Sequence, residues 1–232
     1  MKMLIIDILK GFLYGVFSIS PGLSGGFLAI YFGDYEKCLD IFTLKKVDKS
    51  SFIYLFNILF GFIVGVILFS NIITFLYDKY INSFKFYVLI INIILILYMM
   101  KKYSLIQNIK IMLISVILLT LLNNFYILNI SGLSGSRLYC ISGVIYSITK
   151  IIPGISSTTL LINMGFYDNL MSLFSNPLLA IKQELLLWTI FVTSFFIASI
   201  ILLIIYSKIK YKINLEKIVI VIMLINIFIM LI

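Results

Sequence analysis

Two short motifs in this chain combine residue types that break a helix with residue types that bind anions. Each reads Pro-Gly-x-Ser, at residues 21–24 and at residues 153–156. Proline removes a backbone donor and clashes with the preceding turn, so each motif predicts a break between two half-helices. The second half-helix begins with N–H groups that lack intrahelical partners, and its dipole end is positive. This combination favours an anion.

Hydroxyl groups and small residues flank both breaks and complete the set of candidate binding residues. In the first motif these residues are Pro21, Gly22, Ser24, Gly25 and Gly26. In the second motif they are Pro153, Gly154, Ser156, Ser157 and Thr158. Hydroxyls and a close approach to the backbone are what a phosphate or a carboxylate needs. The alternative is that the breaks are packing kinks, whose hydroxyls bond back to local carbonyls.

The composition places these motifs in a membrane. Of the 232 residues, 62% are hydrophobic and 12% are charged, whereas globular proteins average roughly 45–50% and 25%. The predicted fold class is therefore an all-α integral membrane protein. The net charge of +9 comes from lysines in short loops beside apolar segments. Such lysines orient the chain and contact lipid headgroups, so we predict no nucleic-acid partner.

Missing residue types exclude several classes of function. The chain contains no histidine, which is the commonest general base and metal ligand. Its two cysteines, Cys38 and Cys140, are predicted to lie towards opposite faces, which disfavours a disulfide framework and a thiolate metal site. We therefore predict no enzyme activity, no cofactor and no metal.

The chain consists of two related halves. At an offset of 132 residues, Gly11, Tyr14, Pro21, Gly22, Ser24, Gly33 and Tyr35 recur as Gly143, Tyr146, Pro153, Gly154, Ser156, Gly165 and Tyr167. Both copies thus share the Pro-Gly-x-Ser break and a Gly-x-Tyr-acid motif after it. Because open backbone at membrane depth must line a cavity or be buried in protein, this recurrence favours a binding site over a packing kink.

Each half is predicted to combine a hairpin of half-helices with full transmembrane helices. Repeat 1 covers residues 1–128, and repeat 2 covers residues 129–232. The hairpins span 4–33 and 138–174, and about five full crossings span 52–77, 84–100, 109–128, 185–207 and 215–232. Several of these runs reach the roughly 20 residues that cross a bilayer.

The lysines decide between a hairpin that returns to its own side and a broken helix that crosses. With two re-entrant hairpins, twelve of the sixteen loop cations share the face that holds Lys2, and four share the other face. With two crossing pairs, the same cations divide eight and eight. The positive-inside rule therefore favours re-entrant hairpins and a cytoplasmic N-terminus. Three crossings separate the hairpins, so the second unit is predicted to be inverted, which is a recurring plan for transporters.

Three basic residues near the breaks are candidate ligands for the anion. Lys10 and Lys150 lie inside apolar units, where an ammonium costs at least ~2.5 kcal/mol. Lys10 either reaches the cytoplasmic surface, pairs with Asp7, or contacts the anion. Lys150 either neutralises a bound phosphate or bonds to exposed carbonyls at the break. Arg137 either captures an anion that arrives from outside or is an ordinary interfacial arginine.

The acidic residues that follow the hairpins are expected near the membrane interface. They are Asp34, Glu36 and Asp168. A proton or a sodium ion that couples to transport through an acid inside the membrane therefore has no candidate in the sequence.

The extended motifs resemble one protein family. The first motif reads Ser20-Pro21-Gly22-Leu23-Ser24-Gly25-Gly26 after Gly15, and it closes with Gly33-Asp34-Tyr35-Glu36. The second reads Ile152-Pro153-Gly154-Ile155-Ser156 and closes with Gly165-Phe166-Tyr167-Asp168. Together they resemble the PopT family of bacterial and archaeal polyprenyl-phosphate transporters, also catalogued as domain of unknown function 368. The family's second copy usually continues Ser-Gly-Ser, whereas this chain has Ser156-Ser157-Thr158.

The resemblance implies a flippase that recycles undecaprenyl phosphate from the outer to the cytoplasmic leaflet, with both hairpins forming the headgroup site. The implied partners are membrane lipid and undecaprenyl phosphate or a related polyprenyl phosphate. From the residues alone, the runner-up is a secondary transporter of a small soluble anion. An intramembrane lipid phosphatase needs a nucleophile and an acid or base, and this chain has no histidine and no aspartyl pair of the Gly-x-Gly-Asp type. A purely structural membrane subunit stays open, and so does a homo-oligomer.

Overall fold

The described part of the chain is entirely helical. The computed structural model describes residues 2–43, 48–102, 133–151 and 155–209. Over these residues the chain forms α1 Lys2–Ile19, α2 Gly25–Tyr31, α3 Tyr35–Phe42, α4 Lys49–Lys79, α5 Ile81–Lys102, α6 Gly135–Ile151, α7 Ser157–Asn163, α8 Tyr167–Ser175, α9 Pro177–Gln183 and α10 Leu185–Ile209. The predicted all-α class is confirmed.

Three long helices cover segments that the sequence predicts to cross the membrane. These helices are α4 over 52–77, α5 over 84–100 and α10 over 185–207. Two of them, α4 and Leu185–Ile205 of α10, are long and apolar enough to span a bilayer. The predicted crossings 109–128 and 215–232 lie outside the described residues.

The longest helix, α4, begins at a capping residue. The side chain of Asp48 accepts the N–H of Ser51 at 2.9 Å and the hydroxyl of Ser50 at 2.8 Å. Such a cap satisfies a donor that the first helical turn leaves without a partner. The hydrogen bonds from Ser51 and Ser50 lower the pKa of the Asp48 carboxyl to about 2. The cap therefore stays ionised throughout the physiological pH range.

The two half-helices at the first break pack against each other as a hairpin. α1 ends at Ile19, and α2 begins at Gly25, where an added Cβ would lie 2.5 Å from the carbonyl oxygen of Tyr14. Further back along α1, Lys10 bonds to Asp34, which follows α2. Residues later in the chain thus contact residues nearer the start of α1. This order defines an antiparallel pair.

The half-helices α6 and α7 form an equivalent hairpin in the second unit. Ser157, the first residue of α7, accepts a hydrogen bond from Lys150 at 3.2 Å. Towards the other end, the ring centres of Tyr139 and Phe166 lie 4.8 Å apart. The second return helix therefore also runs back along the first.

Both return helices end with the same glycine turn. Gly33 and Gly165 have φ values of +79° and +68°, which side chains with a Cβ rarely adopt. The N–H of the next residue donates to the carbonyl five positions back, at 2.7 Å in the first unit and 2.9 Å in the second. This bond closes a Schellman motif in each unit. It explains why the Gly-x-Tyr-acid motif recurs after both breaks.

Glycines bring α1 and α4 into backbone contact. An added Cβ at Gly11 would overlap the carbonyl oxygen of Ile58, and one at Gly15 would overlap that of Phe62. From Gly11 to Gly15 on α1, and from Ile58 to Phe62 on α4, the contact shifts by four residues in the same direction, so the two helices run parallel. The first hairpin thus lies beside the first half of α4, and small residues permit the close approach.

We expect Gly61→Ala to separate α1 from α4. The added methyl would overlap the carbonyl oxygen of Ile8, which is part of the backbone and cannot rotate away. Overpacking of this kind typically costs about 1–3 kcal/mol. The melting midpoint of the purified chain in mild detergent should therefore fall by roughly 2–12 °C. Phe60→Ala, on the exposed face one position earlier, is the control, and equal melting of the two variants would contradict this contact.

In the second unit, α6 packs against α10 in the same way. Gly143, the repeat counterpart of Gly11, faces the backbone of α10 at Phe191. Further along both helices, the hydroxyl oxygens of Ser147 and Ser199 lie 2.8 Å apart. Each hairpin is therefore supported along its first half-helix by one long apolar helix.

Candidate functional site

The two breaks contribute to one polar junction. The N–H of Gly22, in the first break, donates to Ser156 Oγ at 3.1 Å and to Thr159 Oγ1 at 2.9 Å in the second unit. In return, Thr158 Oγ1 donates to the carbonyl oxygen of Ser20 at 3.1 Å. Backbone groups of the first break and side chains of the second break, which are far apart in the sequence, therefore meet between the units.

The hydroxyls of the second break also bond to one another. Ser156 Oγ lies 3.0 Å from Thr158 Oγ1 and 3.0 Å from Thr159 Oγ1. All three side chains are buried. In this conformation these hydroxyls join the units, so an anion that binds to them must replace existing hydrogen bonds. Pro153 and Gly154, which the sequence assigns to the same site, lie outside the described residues.

The predicted residues of the first break differ in exposure. Pro21 and Gly25 are buried, whereas Ser24 and Gly26 are half-buried. Ser24 precedes α2 as its N-cap residue but makes no capping hydrogen bond with its side chain. Its hydroxyl is therefore the one in this break that can bond to a ligand without releasing the first turn of α2.

Lys150 places a cation beside the junction. Its ammonium donates to Ser157 Oγ at 3.2 Å and lies 4.5 Å from the ring centre of Tyr146. Among the residues that the structure describes, no carboxylate oxygen lies within 4.0 Å of this ammonium. A hydroxyl and a ring face compensate a half-buried charge only in part. Lys150 is therefore the candidate residue whose surroundings most clearly call for an anion.

Lys10 belongs to a separate charged cluster. Its ammonium lies 2.8 Å from a carboxylate oxygen of Asp34, and the hydroxyl of Tyr14 donates to the same carboxylate at 2.6 Å. Asp34 is only 8% exposed within the protein, and its position near the membrane interface stays a prediction. The predicted pairing of Lys10 with Asp7 is wrong, because the hairpin brings Lys10 beside Asp34, which lies 24 positions away in the sequence.

Arg137 lies away from the junction. It is exposed and belongs to the first turn of α6. Lys150 follows 13 positions later in the same helix, which corresponds to about 20 Å along the helix axis. The structure therefore does not bring Arg137 to the breaks.

One residue of the junction was missed by sequence reasoning. Asn92 of α5 is 2% exposed, and its side-chain amide donates to the carbonyl oxygen of Gly22 at 3.0 Å and to that of Val88 at 3.1 Å. The available signal was an amide in the middle of the apolar run 84–100. Polar side chains inside membrane segments are costly unless they are bonded.

The tyrosines of the two Gly-x-Tyr-acid motifs form reciprocal bonds between the units. The hydroxyl of Tyr35 donates to the carbonyl oxygen of Ile151, and the hydroxyl of Tyr167 donates to that of Ile19 at 3.3 Å. These acceptors end α6 and α1, where carbonyls lack intrahelical partners. Donors and acceptors are both separated by the repeat offset of 132, so the two bonds are related by an approximate two-fold symmetry.

The described residues are all helical, with two helices apolar enough to span a bilayer and a polar junction between broken helices, and these features indicate a membrane protein. Residues 4–84, which contain the first hairpin and α4, match a family model described as VCA0040-like, undecaprenyl phosphate translocase-like. This match confirms the family resemblance drawn from the motifs. Neither the curated proteins nor the solved structures gave a match.

Proposed function

We propose that this chain is a membrane transporter that moves undecaprenyl phosphate, or a related polyprenyl phosphate, from the outer to the cytoplasmic leaflet. The observation that carries the proposal is the ammonium of Lys150, which lies beside the junction without a carboxylate partner in the described part of the chain. A lipid phosphate supplies the missing anion while its prenyl tail stays in the bilayer. The translocase-like family match supports the same cargo.

In this proposal, two re-entrant hairpins enter the membrane from opposite faces. Cys38, after the first hairpin, contacts Tyr54 near the start of α4. Tyr167, after the second hairpin, contacts Tyr77 near the end of α4. The 23 positions between these tyrosines of α4 correspond to about 35 Å of helix, which is comparable with a hydrocarbon core of ~30 Å. The end of each hairpin that lies away from its break is its base. The two bases then lie at opposite membrane faces, with the junction between them.

The lysine distribution gives this arrangement its sidedness. The base of the first hairpin shares its face with Lys2 and with most of the loop cations. By the positive-inside rule this face is cytoplasmic, which makes the proposed protein multi-pass with a cytoplasmic N-terminus. The second base then faces outwards, where the lipid phosphate is collected.

The headgroup is proposed to bind through donors from both units. A phosphate oxygen replaces Ser157 Oγ as the acceptor of the Lys150 ammonium, because the bond then joins opposite charges and gains an attraction that a neutral hydroxyl does not provide. The hydroxyl of Ser24 and the backbone near Gly25 and Gly26 add donors from the first unit. A site between inverted repeats can open to either face when the repeats move relative to each other. The proposed activity therefore changes no covalent bond.

The hydroxyls of the second break take a double role in this proposal. Ser156 and Thr158 hold the units together in the described conformation. When the units separate, the same hydroxyls become donors to the headgroup. Lys10 and Arg137 lie away from the junction, so we assign them no bond to the headgroup in this conformation.

A transport assay with the purified full-length chain in lipid vesicles tests the proposal. The probe is a fluorescent polyprenyl phosphate, and its loss from one leaflet is followed with an impermeant quencher. We expect the chain to accelerate movement of this probe but not of the matching uncharged polyprenol, because Lys150 binds the phosphate. Excess inorganic phosphate should compete weakly. Uptake of inorganic phosphate without movement of the lipid probe would instead identify a carrier of small soluble anions and refute the proposal.

A further inference from the structure

We propose that Tyr35 and Tyr167 are positioning residues that set the membrane face to which the headgroup site opens. This inference rests on the proposed transport function. It adds the contacts that determine whether the site is open to the cytoplasmic face or to the outer face. Each tyrosine hydroxyl donates to a backbone carbonyl of the other unit. Each acts through the last carbonyl of a half-helix, that of Ile151 or that of Ile19.

Each of these bonds ties the base of one hairpin to the break of the other unit. Tyr35 begins α3, directly after the first hairpin, and its acceptor Ile151 directly follows Lys150. Tyr167 begins α8, directly after the second hairpin, and its acceptor Ile19 ends α1 at the first break. The bond of Tyr35 therefore closes the junction on the side of the first base, and the bond of Tyr167 closes it on the side of the second base.

Because both tyrosines are buried, breaking either bond is costly. We call the bond of Tyr35 to Ile151 and the bond of Tyr167 to Ile19 the two latches, since each holds one side of the junction closed. Tyr35 and Tyr167 are buried, so a carbonyl that loses its tyrosine donor is left without a partner unless water enters. We describe the junction as open to one membrane face when water can reach it from that face. With both bonds made, the described conformation is closed on both sides. The approximate two-fold symmetry then gives the two latches equivalent roles at opposite faces.

Cysteine labelling from the two faces of the membrane tests this inference. The background carries Cys38→Ser and Cys140→Ser, because both native cysteines are free thiols. Ser24→Cys at the first break is the reporter, and an impermeant thiol reagent is applied from either side. Tyr35→Phe should raise labelling from the side of the first base about two- to tenfold, which is the range for one lost hydrogen bond. Tyr167→Phe should raise labelling from the opposite side by a similar factor.

The double variant separates a latch from a general packing defect. When Tyr35→Phe and Tyr167→Phe are combined, the opposite biases should cancel, and the ratio of labelling from the two sides should return to that of the background. Damage to packing would instead add up in the double variant. Tyr31→Phe is the matched control, since the contacts described for its ring are with Phe32 and Tyr98. It should leave the ratio unchanged.

Two outcomes would overturn the inference. One is that both single variants shift labelling in the same direction, and the other is that neither shifts it. Movement of the polyprenyl-phosphate probe is measured in separate vesicles, with the same tyrosine variants in a chain that keeps Ser24. Opposite shifts without movement of this probe would support the latches while rejecting the proposed cargo. Probe movement without opposite shifts would keep the cargo and reject the latches.

Discussion

Lys150→Met should reduce transport of polyprenyl phosphate about 10- to 100-fold, which is the range expected for loss of a hydrogen bond between a charged donor and the headgroup. Methionine keeps most of the length of the unbranched side chain, but it removes the ammonium and its charge, which lies 4.5 Å from the ring centre of Tyr146. No carboxylate within 4.0 Å loses a partner in the described part of the chain. The melting midpoint should therefore stay the same or rise, because an ammonium without a counter-charge is costly in apolar surroundings.

The combination of lost transport with preserved stability distinguishes a binding lysine from a structural one. Lys182→Met, at an exposed position of α9, is the matched control and should transport normally. Ser24→Ala should reduce transport by a smaller factor than Lys150→Met, because it removes a neutral donor. If Lys150→Met clears the probe from the outer leaflet at the normal rate, the headgroup site has been assigned to the wrong residues.

Asp34→Ala should destabilise the protein by about 3 kcal/mol. This value is at the low end for a broken buried ion pair, because the side chain of Lys10 remains 24% exposed. The substitution leaves the ammonium of Lys10 without its counter-charge and the hydroxyl of Tyr14 without its acceptor. The melting midpoint in mild detergent should fall by roughly 6–12 °C.

A double-mutant cycle isolates the energy of this pair. The cycle compares Lys10→Met, Asp34→Leu and the two combined, and the double variant should be more stable than Asp34→Leu alone, because apolar residues of similar size remove both charges together. Glu36→Ala is the control, since Glu36 is an exposed carboxylate two positions later. Additive effects of the two single substitutions would show that Lys10 and Asp34 do not interact in the folded protein.

The two breaks and the elements around them could be predicted from sequence because their causes are local. A proline ends a helix wherever it occurs in the interior, and the glycine at 33 or 165 permits the left-handed turn that ends each return helix. Repetition of the pattern at a constant offset then separated these signals from chance. The sequence also predicted that Lys150 needs a partner, either an anion or exposed carbonyls, because a basic residue in an apolar stretch is costly in any fold.

The partner of Lys10 could not be predicted in this way. Asp7, one turn earlier on the same helix, was the nearest acid in the sequence, whereas Asp34 becomes the nearest only when α2 folds back along α1. The bond between Asn92 and Gly22 has the same origin, since it joins α5 to the first break across 70 positions. Periodicity and motif spacing carry no information about such pairs.

The sequence by itself determined an all-helical membrane protein with two broken units, because hydrophobicity, proline and glycine act through solvent transfer and backbone sterics, which depend little on the rest of the chain. Only the tertiary structure decided that the hydroxyls of the second break bond to Gly22, and that each base tyrosine reaches the half-helix of the other unit. These bonds depend on the relative placement of the two units. That placement follows from contacts between the units, such as the contact of Tyr77 on α4 with Tyr167 on α8, which no single segment specifies.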